Sequence, residues 1–124
     1  MTLLVLRAFK ELILYEILIK FGGFPRVRRY VLKTKRSNRT LSSNIVKNVV
    51  DAVDIAGCFY VREVKCLHRS FAATRILRKM GVGAELIIAT RPLPFMSHAW
   101  VEVDNEIVND KPGYKRKLLV MDRM

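Results

Sequence analysis

The run CLHRSFAATRILRKMGVGAELIIATRPLPFMSHAWVEV, residues 66–103, decides the fold. Its first part has helical spacing. Leu67, Phe71, Thr74 and Leu77 recur at i, i+4, i+7 and i+10, which predicts a helix over 67–80 with one buried stripe and Cys66 at its start. Gly81 suits the position just past a helix end. After Gly83 the period changes. Ala84 to Thr90 is rich in Ile and Leu and reads as a strand, and Pro92 and Pro94 make a loop. His98 to Asp104 alternates strictly, with Ala99, Val101 and Val103 on one face and His98, Trp100 and Glu102 on the other.

Downstream, Ile107–Asp110 and Lys115–Met121 read as short strands. A three-residue loop, Asp104-Asn105-Glu106, pairs Val103 with Ile107 and sets Asp110 on the face of His98, one diagonal step away. A two-residue loop puts Asp110 on the other face, so sequence alone prefers that residue only weakly over Asp104.

Upstream, Ser42 and Ser43 offer caps for a helix from Asn44 to Ala56, with Gly57 as its stop. Phe59–Lys65 is the connector, and Cys58 near the helix end is expected to be a small buried filler. Residues 3–20 form an amphipathic helix with a wide apolar face. Leu3, Leu6, Lys10, Ile13 and Ile17 lie along one line, and Leu4, Leu14 and Leu18 along another. Gly22 and Gly23 stop it and Pro25 breaks it. Helices come first and a hairpin-rich antiparallel sheet second, so the class is α+β. One domain over 1–124 is expected, with a helical lead-in over about 1–57 and a core over about 58–124.

The formal net charge is +12, and no Asp or Glu occurs from Ile17 to Val50. Such a field attracts nucleic acid, an anionic lipid surface or an acidic protein. Tyr30 is the only ring in the basic run 26–39, fewer than stacking surfaces for nucleic acid use, so an acidic partner fits at least as well. Arg28, Arg29, Arg36 and Arg39 are the docking candidates, against the plainer reading of a solvated basic face. Two cysteines are too few for a disulfide scaffold and read as thiols in a reducing, cytoplasmic setting. Charges interrupt the N-terminal apolar run, which argues against a transmembrane span. There is no H-E-x-x-H, no paired zinc spacing and no phosphate-cradling glycine motif, so neither metal nor cofactor is expected.

A nucleophilic cysteine needs thiolate character. A helix N-terminus supplies about 0.3–1 kcal/mol of that, so a nearby imidazole must do most of the activation. Cys66 stands at a helix start after Lys65. His68, two residues on, points to a different helix face and makes a poor base for it. His98 on its strand is the other histidine, and Asp104 or Asp110 can orient it.

The segments C-L-H-R-S-F-A at 66–72, R-K-M-G-V-G-A-E-L at 78–86, P-F-M-S-H-A-W-V-E-V at 94–103 and V-N-D at 108–110 together resemble the lasso-peptide leader peptidases, which are transglutaminase-like, papain-related cysteine proteases. The resemblance covers the second half of the chain well and the first half loosely. It implies Cys66 as nucleophile, His98 as base and Asp110 as its orienter, with Arg69, Ser70, Trp100 and Glu102 as supports or packing. It implies cleavage of a precursor just before its core peptide. It also implies the split form, in which a separate winged-helix-like protein recognises the leader and a lasso cyclase acts afterwards. Two other readings compete. A non-catalytic basic module binding nucleic acid or an acidic partner explains the charge but not the Cys, His, Asp order. A true transglutaminase uses the same triad, but a chain this short leaves little surface to select two protein substrates.

Overall fold

The computed structural model describes residues 2–34, 43–60, 64–92, 95–104, 106–109 and 119–124. Three helices, α1 (Thr2–Lys33), α2 (Ser43–Phe59) and α3 (Cys66–Lys79), precede four strands, β1 (Ala84–Pro92), β2 (Phe95–Val103), β3 (Glu106–Ile107) and β4 (Leu119–Arg123). The strands form one sheet in the order β3-β2-β1-β4, antiparallel throughout. This is the α+β arrangement expected from the change of period after Gly83.

Helix α3 is the centre of the molecule. Helices α1 and α2 pack on one side of it and strands β1 and β2 on the other. The single buried stripe expected for it is therefore too narrow, since every residue from Ser70 to Arg78 is buried. Sequence periodicity misses this because Arg75 and Arg78 look solvent-facing. Both instead find internal partners. Arg75 pairs with Glu11 of α1 (3.0 Å), and Lys79 reaches the same carboxylate (3.3 Å). Arg78 donates to the carbonyls of Ala84 (2.9 Å) and Val31 (2.7 Å), and to that of Met124. A buried charge is tolerable only with such partners. Here they lock α1, α3, β1 and the chain's last residue into one register.

The sheet alternates as expected. Ala84, Leu86, Ala99, Val101 and Val103 join the helices in the core. Ile87, Ala89 and Trp100 form a second buried cluster on the opposite face. Leu86 pairs with Val101 and Ala89 with His98 across β1 and β2.

Helix boundaries depart from expectation at two places. The chain stays helical past Gly22 and Pro25 to Lys33, with one break at Gly23 (φ 68°, ψ −169°). Glycine reaches that left-handed φ without strain, and Pro25 then occupies the first turn of the next helical piece, where it loses no hydrogen bond. So Arg26, Arg28 and Arg29 are helical. Helix α2 runs two residues past Gly57 to Phe59. That carries Cys58 to an exposed position, so it is not the buried filler expected. It lines a shallow concavity of about 240 Å³ with Asp54, Gly57, Val64 and Arg69. Gly81, with φ 90°, ends α3 as expected.

The hairpin after β2 is tighter than the three-residue loop expected. Val103 pairs with Glu106 and Glu102 with Ile107, leaving two residues in the turn. Asp104 adopts φ 53°, the left-handed conformation that such turns require and that Asp tolerates. Strand β3 is also only two residues long, not four, and β4 begins at Leu119.

Candidate active site

Cys66 opens α3, partly buried, and packs on the cluster formed by Tyr15, Leu18, Phe71, Leu86 and Ala99. Nothing in the first turn of α3 is acidic, so the free backbone N–H groups there face no competing carboxylate within their own helix.

His68 holds this turn in place. Its Nδ1 accepts the Lys65 backbone N–H (3.3 Å), and its Nε2 meets Glu16 Oε1 of α1 (3.0 Å). An accepting Nδ1 places the ring proton on Nε2, which donates to the carboxylate. The ring also lies against Tyr15, with centroids 4.2 Å apart. This agrees with the expectation that His68 is no base for Cys66. We predict that His68→Ala lowers stability by about 1–2 kcal/mol, as losing a helix cap does. Urea unfolding measures it, and an unchanged midpoint means the pin is not structural.

Tyr15 is the neighbour that sequence reasoning missed. Burial pushes its phenol up to about 12, and electrostatic interaction with Glu16 and then Cys66 adds to the shift. It therefore keeps its proton, and its ability to donate a hydrogen bond, throughout the physiological range. Its position in the middle of an apolar helix stripe gave no sign of this.

His98 lies on β2, one residue before Ala99, whose side chain joins the core cluster that Cys66 packs on. The imidazole projects with Trp100 on the opposite face of the sheet, with ring centroids 6.2 Å apart, and is half-buried. The supports found by resemblance have defined contacts. The Trp100 indole N–H donates to Glu102 (2.8 Å), and Arg123 reaches the other carboxylate oxygen (3.4 Å). Glu102 is thus a buried acid held by an indole and a guanidinium. Arg69 reaches Asp54 of α2 at 3.5 Å, a partly exposed ion pair.

Ser70 is fully buried, and its Oγ accepts the side-chain N–H of Asn109 (3.0 Å). Asn109 Oδ1 in turn accepts the Val101 N–H (2.8 Å), and Val108 N–H bonds to Val101 C=O (3.0 Å). A side-chain amide thus replaces the backbone ladder at this point. The alternation that assigned faces beyond Ile107 does not continue through it. Asp110 follows directly and lies outside the described residues. Asp104 sits in the tight turn.

Of the docking arginines, Arg28 is committed internally to Asp122 of β4 (2.7 Å). Arg29 lines an open concavity of about 420 Å³ with Pro25, Arg28, Leu32 and Lys33. Arg36 and Arg39 lie outside the described residues. Among the described residues no helix is long and apolar enough to cross a membrane.

Residues 12–123 match the family described as the transglutaminase-like superfamily. The chain belongs to that superfamily. Three helices with the cysteine opening the last of them, then a small antiparallel sheet carrying the histidine, is the α+β arrangement that the hydrophobic periods predicted. The chain is also 33% identical over 93 residues to the microcin J25-processing protein McjB of Escherichia coli. That match covers 73% of this chain and 45% of the relative, so the chain spans about half the length of the curated relative it matches. This supports the likeness to the lasso-peptide leader peptidases drawn from the motifs. No solved structure gives a significant match.

Proposed function

We propose that this transglutaminase-like chain is the cysteine peptidase that removes the leader from a lasso-peptide precursor. The observation that carries the reading is Cys66 at the start of the buried central helix, in a chain 33% identical over 93 residues to a microcin-processing protein. Cys66 Sγ attacks the scissile carbonyl. His98 accepts the thiol proton and returns it to the leaving amine, which requires its imidazole, beside Trp100, to turn toward the start of α3. Backbone N–H groups at the start of α3 stabilise the oxyanion. Water, activated by His98, then releases the leader from the acyl-enzyme. Asp110 orients the imidazole, the residue next to it in sequence, Asn109, being held by Ser70 and Val101.

The leader reaches the enzyme on a separate winged-helix-like recognition protein, with Arg29 and its concavity, and Arg36 and Arg39, as the basic surface that meets acidic cargo. Arg28 serves that surface less, being paired with Asp122. A lasso cyclase consumes the freed core peptide, and the setting is the cytoplasm. The test is incubation of the protein with precursor and recognition protein, followed by mass spectrometry. Release of core peptide and intact leader is the expected result. Precursor that stays whole, or an amine-transfer product in place of hydrolysis, rejects the reading.

A further inference from the structure

Helix α1 buries Ala8, Glu11, Leu12, Tyr15 and Leu18 against the body of the protein. Its outward side is not polar. Leu3, Leu6, Ile13, Ile17 and Phe21 are between 49% and 70% exposed. Lone exposed apolar residues need no explanation, but five along one helix face form a patch of the kind that marks an interaction site. Of the two apolar lines in the sequence, the body of the protein takes the one that includes Leu4, Leu14 and Leu18.

The spacing is informative. Leu3, Leu6, Lys10, Ile13, Ile17 and Lys20 follow one another at steps of three and four, the a/d pattern of a helix–helix seam. Such a seam is narrower than the broad apolar face with which a helix lies in a membrane interface. Lys10 stands on the axis of the seam, where a partner carboxylate satisfies it and a lipid tail does not.

The charge pattern is equally one-sided. Arg7, Lys10 and Lys20 are exposed along this face. The only two acids in α1 point inward, Glu11 to Arg75 and Lys79, and Glu16 to His68. A second copy of the chain would set these cations against the same cations with no acid to offset them, so self-pairing is disfavoured.

We infer that the outward seam of α1 from Leu3 to Phe21 is the docking surface for an acidic amphipathic helix of a separate protein. The inference does not depend on the catalytic reading. Apolar residues of the partner helix fill the a/d seam. Its carboxylates meet Arg7, Lys10 and Lys20, which fix register and select the partner.

The probe is a synthetic helix of about three heptads with Leu and Ile at a and d, Glu at the flanking positions and opposite Lys10 and Lys20, and a side-chain cross-link to hold the helix. A matched helix carries Lys in place of every Glu. Fluorescence anisotropy on the full chain is expected to show the acidic helix binding at least tenfold more tightly than its basic counterpart. Ile13→Gln with Ile17→Gln should weaken it at least tenfold, with unchanged circular dichroism because both positions are exposed. Lys10→Glu with Lys20→Glu should invert the preference between the two helices. The inference is overturned by no binding, by equal binding of both helices, by binding unaffected by the Gln pair, or by uptake by vesicles of phosphatidylglycerol and phosphatidylcholine without binding of the helix. Self-association through this face in sedimentation also overturns it.

Discussion

Cys66→Ala should release no core peptide from a precursor that the wild-type chain processes. The expected loss is at least about four orders of magnitude, because removing a nucleophile removes the covalent route altogether. The fold should survive. Cys66 is at the first position of α3 and only partly buried, so a methyl group in place of the thiol leaves no large cavity. Cys58→Ala is the necessary control and should stay active. The structure makes that control more important than the sequence suggested. Cys58 is exposed, so a thiol alkylator reaches it at least as readily as Cys66, and inhibition of the wild-type chain alone identifies neither. Alkylation should be run on the Cys58→Ala protein, with precursor cleavage read by mass and unfolding read by circular dichroism. Cleavage by Cys66→Ala at the wild-type rate removes the nucleophile assignment. Loss in both single variants points to a structural effect.

The part of the fold that was legible is the part where local signals agree with tertiary packing. Helix α3 and strands β1 and β2 were readable because the hydrophobic period changes cleanly after Gly83, although Pro92, expected in the loop, closes β1 opposite Phe95. The two faces of β2 followed from strict alternation, and the buried Ala99, Val101 and Trp100 bear that out. What the sequence hid had physical reasons. Arg75 and Arg78 read as surface residues because their partners, Glu11 and the Ala84, Val31 and Met124 carbonyls, lie far off in sequence. Gly23 and Pro25 read as a stop because each disfavours a helix interior. Placed two residues apart they instead make a kink with a helix start behind it. The apolar line on α1 was visible, but which of two lines is buried depends on the elements it meets. The Asn109 clamp had no signal beyond its place in V-N-D, since an amide that bonds a buried serine and a strand N–H at once is a property of the assembled fold.

That clamp bears on the second large effect. Asp110→Asn should slow leader cleavage by about 10²–10⁴-fold while KM for the precursor changes little, because an amide neither stabilises an imidazolium nor fixes the imidazole tautomer. Asp104→Asn should do almost nothing. Asp104 holds a left-handed turn conformation at φ 53°, and asparagine adopts that conformation at least as readily. The register argument that first favoured Asp110 rested on a three-residue loop, and the loop has two residues. Strict alternation along a continued strand would then favour the wrong face. The strand does not continue. Pairing in β3 stops at Ile107, and at Asn109 a side-chain bond to Val101 takes the place of the ladder. Counting residues from the turn therefore does not decide the face of Asp110. Single-turnover kinetics of the two variants across pH separates the roles. The orienting carboxylate should change both the cleavage rate and its pH profile, whereas a turn aspartate should change neither. If Asp104→Asn is the damaging variant and Asp110→Asn is benign, Asp104 is the residue that holds His98.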